Sequence, residues 1–252
     1  MEVIPDPWFW AVAIPAVALA GVSKGGFGGG GAGSAATPLM ALVISPATAA
    51  AIMLPLLCAM DLAGIRAYLG RWDRRIMRIV VPAGLIGCLA GALTFRHLND
   101  NWIRVLVGGI ALGFLFYSLF PRKRVPPKPS DAVGWFWSMV SGFTSFITHS
   151  GTPPLMVYLL PQRLEKAAFA ATTLVFFAVL NYAKILPYLW LGPFDLRNLG
   201  TSAALLPVGV GGIYFGLWLQ KRIPPFWFFR IIYTVLFFTG SKLMYDGVRG
   251  LG

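Results

Sequence analysis

Negative charge is what this chain has least of. Among 252 residues only nine are Asp or Glu, against 21 Lys and Arg, and charged residues total 12%. Soluble domains carry about 25%, so a water-facing surface cannot be built from this set. Two histidines and two cysteines complete the short supply. Cys58 and Cys88 both fall in apolar runs, which excludes a disulfide framework, and no metal-ligand spacing is present, so no metal and no cofactor is expected. No nucleophile–base pairing and no Walker lysine motif is legible, which argues against an enzyme and against ATP hydrolysis. Gly26-Phe27-Gly28-Gly29-Gly30-Gly31 fits the dinucleotide pattern, but no strand precedes it. The N-terminus carries Glu2 and Asp6 where a signal peptide has cations, so the first apolar stretch reads as a retained membrane segment.

What is abundant is apolar. Hydrophobic residues make up 57% of the chain, and the mean hydropathy is +0.72. Runs from Ile76 to Phe95, Trp102 to Phe120, Leu199 to Leu219 and Phe226 to Met244 each reach the roughly 20 residues a bilayer crossing needs. The class is an all-α polytopic membrane protein. Its apolar segments lie at 8–22, 33–45, 47–65, 76–95, 102–120, 133–148, 152–161, 167–191, 198–219 and 226–245. The net charge of +12 sits in short loops, where it sets topology and meets anionic membrane lipids, not nucleic acid. Trp8-Phe9-Trp10, Trp135-Phe136-Trp137 and Phe226-Trp227-Phe228-Phe229 begin segments and suit an interfacial aromatic belt.

Two segments, 33–45 and 152–161, are too short to cross. Each follows a break rich in small residues: Ser23-Lys24-Gly25-Gly26-Phe27-Gly28-Gly29-Gly30-Gly31 in the first half, and a fainter copy from Ser141 to Pro154 in the second. Paired breaks of this kind mark carriers whose site lies between discontinuous helices. The halves match elsewhere. Thr37-Pro38 answers Thr152-Pro153, Tyr68-Leu69 and Asp73 answer Tyr188-Leu189 and Asp195, and Pro82, Gly87, Gly91 and Trp102 answer Pro207, Gly212, Gly216 and Trp227 at one constant offset. An internal duplication accounts for this. It divides the chain into a first transmembrane repeat (1–120), a charged, proline-rich linker (121–131) and a second repeat (132–252).

Charge orients the repeats. Arg66, Arg71, Arg74, Arg75 and Arg78 fill one loop, and Arg122, Lys123, Arg124 and Lys128 the linker; both are expected in the cytoplasm. That holds if each repeat is one re-entrant, broken helix pair followed by three transmembrane helices. Three is odd, so the repeats are inverted. The rival count takes 8–22 and 133–148 as full crossings. Gly87-x-x-x-Gly91, Gly109-x-x-x-Gly113 and Gly212-x-x-x-Gly216 read as helix-packing faces, and such faces also offer surfaces for a homodimer.

Chemically, the half-helix N-termini favour an anion, since unpaired N–H groups and the macrodipole point there. Gly25, Gly26, Gly28 and Gly151 let backbone approach a ligand; Ser34, Thr37, Ser145, Thr148, Ser150 and Thr152 add hydroxyl donors. Lys24 either balances the anion or snorkels from its helix end. His149 either takes a substrate or proton role, or is a satisfied structural histidine. The hydroxyls either meet substrate or satisfy broken backbone. Asp61, inside segment 47–65, is a proton-coupling candidate, with an ion pair to Arg66 or another basic side chain near the membrane surface as the plainer reading. Its repeat counterpart falls near Asn181. Lys184 is expected to snorkel.

The run Gly21-Val22-Ser23-Lys24-Gly25-Gly26-Phe27-Gly28-Gly29-Gly30-Gly31, then Thr37-Pro38-Leu39, Gly70-Arg71-Trp72-Asp73 and Pro82-Ala83-Gly84-Leu85-Ile86-Gly87-Cys88-Leu89-Ala90-Gly91, resembles the TauE/SafE permeases, the sulfite exporters. The resemblance covers nearly the whole chain. It implies a secondary transporter exporting sulfite or an organosulfonate across the bacterial inner membrane, coupled to protons. The stretch from Thr148 to Pro154 departs from the more glycine-rich family form, which leaves the substrate open. An anion channel and a non-transporting membrane scaffold are the alternatives.

Overall fold

The computed structural model describes every residue except 1–2, 27–32, 68, 96, 120–127, 192–194, 220–221, 223–224 and 252. Its helices run in the order α1 (Pro7–Gly26), α2 (Gly33–Met40), α3 (Pro46–Ala67), α4 (Arg74–Phe95), α5 (Asp100–Leu119), α6 (Asp131–Thr148), α7 (Thr152–Leu159), α8 (Lys166–Leu191), α9 (Leu196–Leu219) and α10 (Pro225–Arg249). A 3-10 turn, Leu160–Gln162, follows α7, and no strand occurs among the described residues. Among the described residues five helices, α1, α3, α4, α8 and α9, are long and apolar enough to cross a bilayer. At 1.5 Å per residue the 20 residues of α5 and the 25 of α10 reach about 30 Å or more. The chain is an all-α, multi-pass membrane protein. Leu89, Leu93, Phe116, Leu186 and Phe238 face outward, large apolar side chains that suit lipid and not water.

Both short segments form helices of eight residues, α2 and α7. The main departure from the sequence reading is α1, which continues past residue 22 to Gly26. Glycine weakens a helix, but here its missing Cβ admits another helix: a side chain on Gly25 would strike the Ile213 carbonyl, and one on Gly21 the Gly209 carbonyl. Close approach to α9 offsets the poor propensity of this stretch.

The same device recurs between α4 and α6, where a Cβ on Gly87 would strike the Met139 carbonyl and one on Gly142 the Gly84 carbonyl. The motifs Gly87-x-x-x-Gly91 and Gly212-x-x-x-Gly216 are therefore used inside the chain, on α6 and α1. The third motif needs correction. Gly108, not Gly113, lies against α10, within 2.7 Å of the Gly240 carbonyl for an added Cβ, while Gly113 meets nothing within 4 Å.

Helix pairs answer one another across the halves: α1 packs on α9 and α6 on α4, while α3 packs on α8 and α5 on α10. Asp73 Oδ1 accepts from the Ile76 N–H (2.9 Å) to cap α4, and Asp195 Oδ1 accepts from the Asn198 N–H (2.6 Å) to cap α9. Contacts between ends show which termini share a side. Arg75, opening α4, pairs with Asp131, opening α6, at 3.4 Å. The Asp73 N–H reaches Thr172, early in α8, at 3.0 Å. On the other side the Ile4 N–H donates to Thr201 at 3.2 Å, near the starts of α1 and α9. Asn101, opening α5, donates to the Gly250 carbonyl after α10 at 2.6 Å. A Cβ on Gly134, early in α6, would meet Tyr158, late in α7, so α6 and α7 form a hairpin that turns back at the second break.

Candidate functional site

The second break is built by serine and threonine hydroxyls. α6 stops at Thr148 because His149 turns into the left-handed region (φ 56°), its N–H donating to the Ser145 carbonyl at 3.1 Å. Ser141 Oγ donates across the turn to the Gly151 carbonyl at 2.6 Å. Gly151 must be glycine, since a Cβ would run into Ser141, Ser145 and Phe177. Thr148 Oγ1 donates to the Thr144 carbonyl (3.1 Å) and Ser150 Oγ to the Thr148 carbonyl (3.3 Å). Thr152 opens α7, with proline in its first turn where no N–H is needed. Two of the expected donor hydroxyls, Thr148 and Ser150, thus hold the broken backbone itself.

Beneath this turn lies Lys184, fully buried on α8. Its ammonium donates to the Ser145 carbonyl, to Ser145 Oγ and to His149 Nδ1, each at 3.0 Å. His149 Nε2 lies 2.9 Å from the Ala50 carbonyl on α3. A carbonyl can only accept, so Nε2 carries the hydrogen and Nδ1 is the acceptor facing Lys184. A second ring proton would have to displace the Lys184 bond. The expectation that Lys184 snorkels is overturned: the side chain turns inward, because the α6 carbonyl end and the imidazole offer it acceptors.

At the first break, Lys24 reaches inward from the last turn of α1. It forms an ion pair with Asp61 Oδ1 and donates to the Leu57 carbonyl at 3.2 Å. Asp61 has no exposure, and its other oxygen accepts from Asn181 Nδ2 at 2.7 Å. Its partner is therefore Lys24 and not Arg66, whose backbone lies on the same helix more than a turn further on. Ser23 and Thr37 are fully buried near this break, and neither hydroxyl has a hydrogen-bond partner among the described residues. Unsatisfied buried hydroxyls are uncommon. Ser138, on α6, is the third such group among the described residues. Gly26 ends α1 and Ser34 lies in the first turn of α2; Gly28 lies outside the described residues.

α3 and α8 join the two breaks. Ala50, Leu57 and Asp61 recur on one face of α3 at i, i+7 and i+11, and Asn181 and Lys184 on one face of α8 at i, i+3. The polar contacts close a circuit from Lys24 to Asp61, Asn181, α8, Lys184, His149 and back to α3. Lys184 is the residue the sequence reading missed. The signal was there: an ionisable residue well inside a long apolar segment. Two cavities lie elsewhere. One of about 680 Å³ runs between α5 and α10 beside Leu115, Tyr233 and Phe237; one of about 280 Å³ lies among α5, α6 and α7 beside Phe114, Trp137 and Pro154. Both are mostly apolar in lining and neither touches Lys24, Asp61, His149 or Lys184, so neither marks an anion site.

Residues 13–243 match the family model described as sulfite exporter TauE/SafE, and the chain belongs to that family. No curated protein and no solved structure matches it.

Proposed function

We propose that this TauE/SafE member is a secondary carrier that exports a small sulfur-containing anion, sulfite or an organosulfonate, across the bacterial inner membrane, coupled to the proton gradient. Family membership supplies the class, a membrane transporter. The observation that carries the finer reading is the pair of broken helices tied together through buried ionisable groups on α3 and α8. Charges inside a membrane are costly and mark ion or substrate paths. The N-termini of α2 and α7 both follow a break, where the helix dipole suits an oxyanion; Pro153 and Pro154 carry no N–H, which leaves Thr152 as the backbone donor in the first turn of α7. Ser23, Thr37 and Thr152 add buried hydroxyls beside those ends.

In this reading residues 1–120 and 132–252 are inverted repeats joined by a cytoplasmic linker, 121–131. The contacts of Arg75 with Asp131 and of Ile4 with Thr201 support it. They put the starts of α4 and α6 on one side and those of α1 and α9 on the other, as inversion requires. Access alternates as the repeats move against each other about the α3–α8 contact. Asp61 and His149 are the proton-coupling candidates, each already engaged by a lysine.

Proteoliposomes loaded with sulfite, sulfate, thiosulfate, sulfoacetate or acetate test the reading. Saturable export of a sulfur oxyanion that concentrates it against its gradient when a proton gradient is imposed is the expected result. Flux that never exceeds equilibrium is the behaviour of a channel, and no flux of any anion removes the transporter reading altogether. Asp61→Asn with proton co-movement unchanged would remove Asp61 from the coupling.

A further inference from the structure

Of the two lysines at the breaks, Lys24 alone has its charge answered by a carboxylate among the described residues. Lys24 meets the Asp61 carboxylate. Both oxygens of that carboxylate are engaged, one by Lys24 and one by Asn181. Lys184 is fully buried, and its three hydrogens point at three neutral acceptors: a carbonyl, a hydroxyl and an imidazole nitrogen. Hydrogen bonding is satisfied there and charge is not. With Lys24 and Asp61 cancelling and His149 neutral, the polar circuit carries one net positive charge. A lone buried cation of this kind destabilises a fold unless something negative joins it. Beside it, Ser145 Oγ accepts from Lys184, and its own hydrogen meets no acceptor among the described residues. An ammonium and a hydroxyl therefore sit together at the second break.

We infer that Lys184 is the cationic ligand of the transported anion, with Ser145 donating a second hydrogen bond, and that the site takes a monoanionic oxyanion, a sulfonate or hydrogensulfite, in preference to a dianion. This rests on the carrier reading and names the charge its substrate neutralises. One negative charge brings the circuit to zero; two would overshoot it inside a low-dielectric interior. The Lys24–Asp61 pair then serves as an internal strut and not as the substrate's counter-charge.

The test is anion-dependent thermal stabilisation of purified full-length protein in detergent, with methanesulfonate, sulfite and sulfate as probes. Wild-type protein is expected to gain melting temperature with methanesulfonate and with sulfite at mildly acidic pH, and little with sulfate at equal ionic strength. Lys184→Gln, which keeps hydrogen-bonding capacity without charge, is expected to lose that gain while melting no lower than wild type in the absence of anion. Lys184→Met serves if the glutamine variant does not fold. The double variant Lys24→Met/Asp61→Asn is expected to keep the gain. A Lys184 variant that is stabilised by methanesulfonate as fully as wild type overturns the assignment while leaving the carrier reading intact. Loss of the gain in the double variant alone moves the site to Lys24 and also overturns it. Sulfate stabilising as strongly as methanesulfonate overturns the charge preference. Wild-type protein that responds to none of the three anions overturns both the assignment and the sulfur-anion reading beneath it.

Discussion

Asn181 Nδ2 donates to Asp61 Oδ2 at 2.7 Å, so α8 and α3 are joined by a buried contact between an amide and a carboxylate. In that contact one half contributes a charge and the other an uncharged analogue of it. α3 thus brings a carboxylate to this contact, and α8 carries the ammonium of Lys184 one turn beyond Asn181.

Removing the carboxylate alone strands its lysine. Asp61→Asn leaves Lys24 largely buried with no counter-charge, and breaking one side of such a pair costs about 3–5 kcal/mol. Lys24→Met added to Asp61→Asn should recover most of that loss. Chemical or thermal unfolding of the single and double variants in detergent checks both signs; equal stability of the single variant and wild type would show that the pair carries no weight.

Glycines at the α4–α6 and α1–α9 contacts have no room for a methyl group. Gly142→Ala and Gly25→Ala each drive a Cβ into a backbone carbonyl, of Gly84 and of Ile213. Each should lose at least the 1–3 kcal/mol typical of overpacking, seen as reduced monodisperse yield. Gly211→Ala on α9 meets nothing within 4 Å and should be neutral or stabilising by up to about 1 kcal/mol, since alanine is the better helix former.

The two aspartate caps make parallel contacts and should have parallel costs. Asp73→Ala and Asp195→Ala each remove an acceptor for a first-turn N–H, worth about 0.5–2 kcal/mol. Melting temperatures should fall for both variants by similar amounts, with transport otherwise retained.

Both thiols are closed off. Cys58 and Cys88 are buried, and Cys88 Sγ donates to the Gly142 carbonyl at 3.3 Å. Maleimide should label neither in the folded protein and both after denaturation in SDS. Rapid labelling of folded Cys88 would contradict the α4–α6 packing.

Local chemistry carried most of the fold into the sequence. Apolar runs announced the long helices to within a few residues, and Pro153-Pro154 open α7 as proline suits a first turn, whereas Pro38 is the sixth residue of α2 and lies inside the helix. The site was less legible. Thr148 and Ser150 read as donors for a ligand, yet a helix that breaks inside a membrane must satisfy its own carbonyls first, and these hydroxyls do so. Gly25 and Gly151 read as room for a ligand and turned out to be room for Ile213 and Ser141.

Composition and periodicity alone determined that this chain is helical, lives in a membrane and carries two short segments, since each of those follows from residues close together in sequence. Which lysine is neutralised could be decided only by the packed helices. Lys24 lies 37 residues from its carboxylate and Lys184 lies 35 from its histidine, and whether a buried charge has an opposite beside it depends on distances in space that no local pattern encodes.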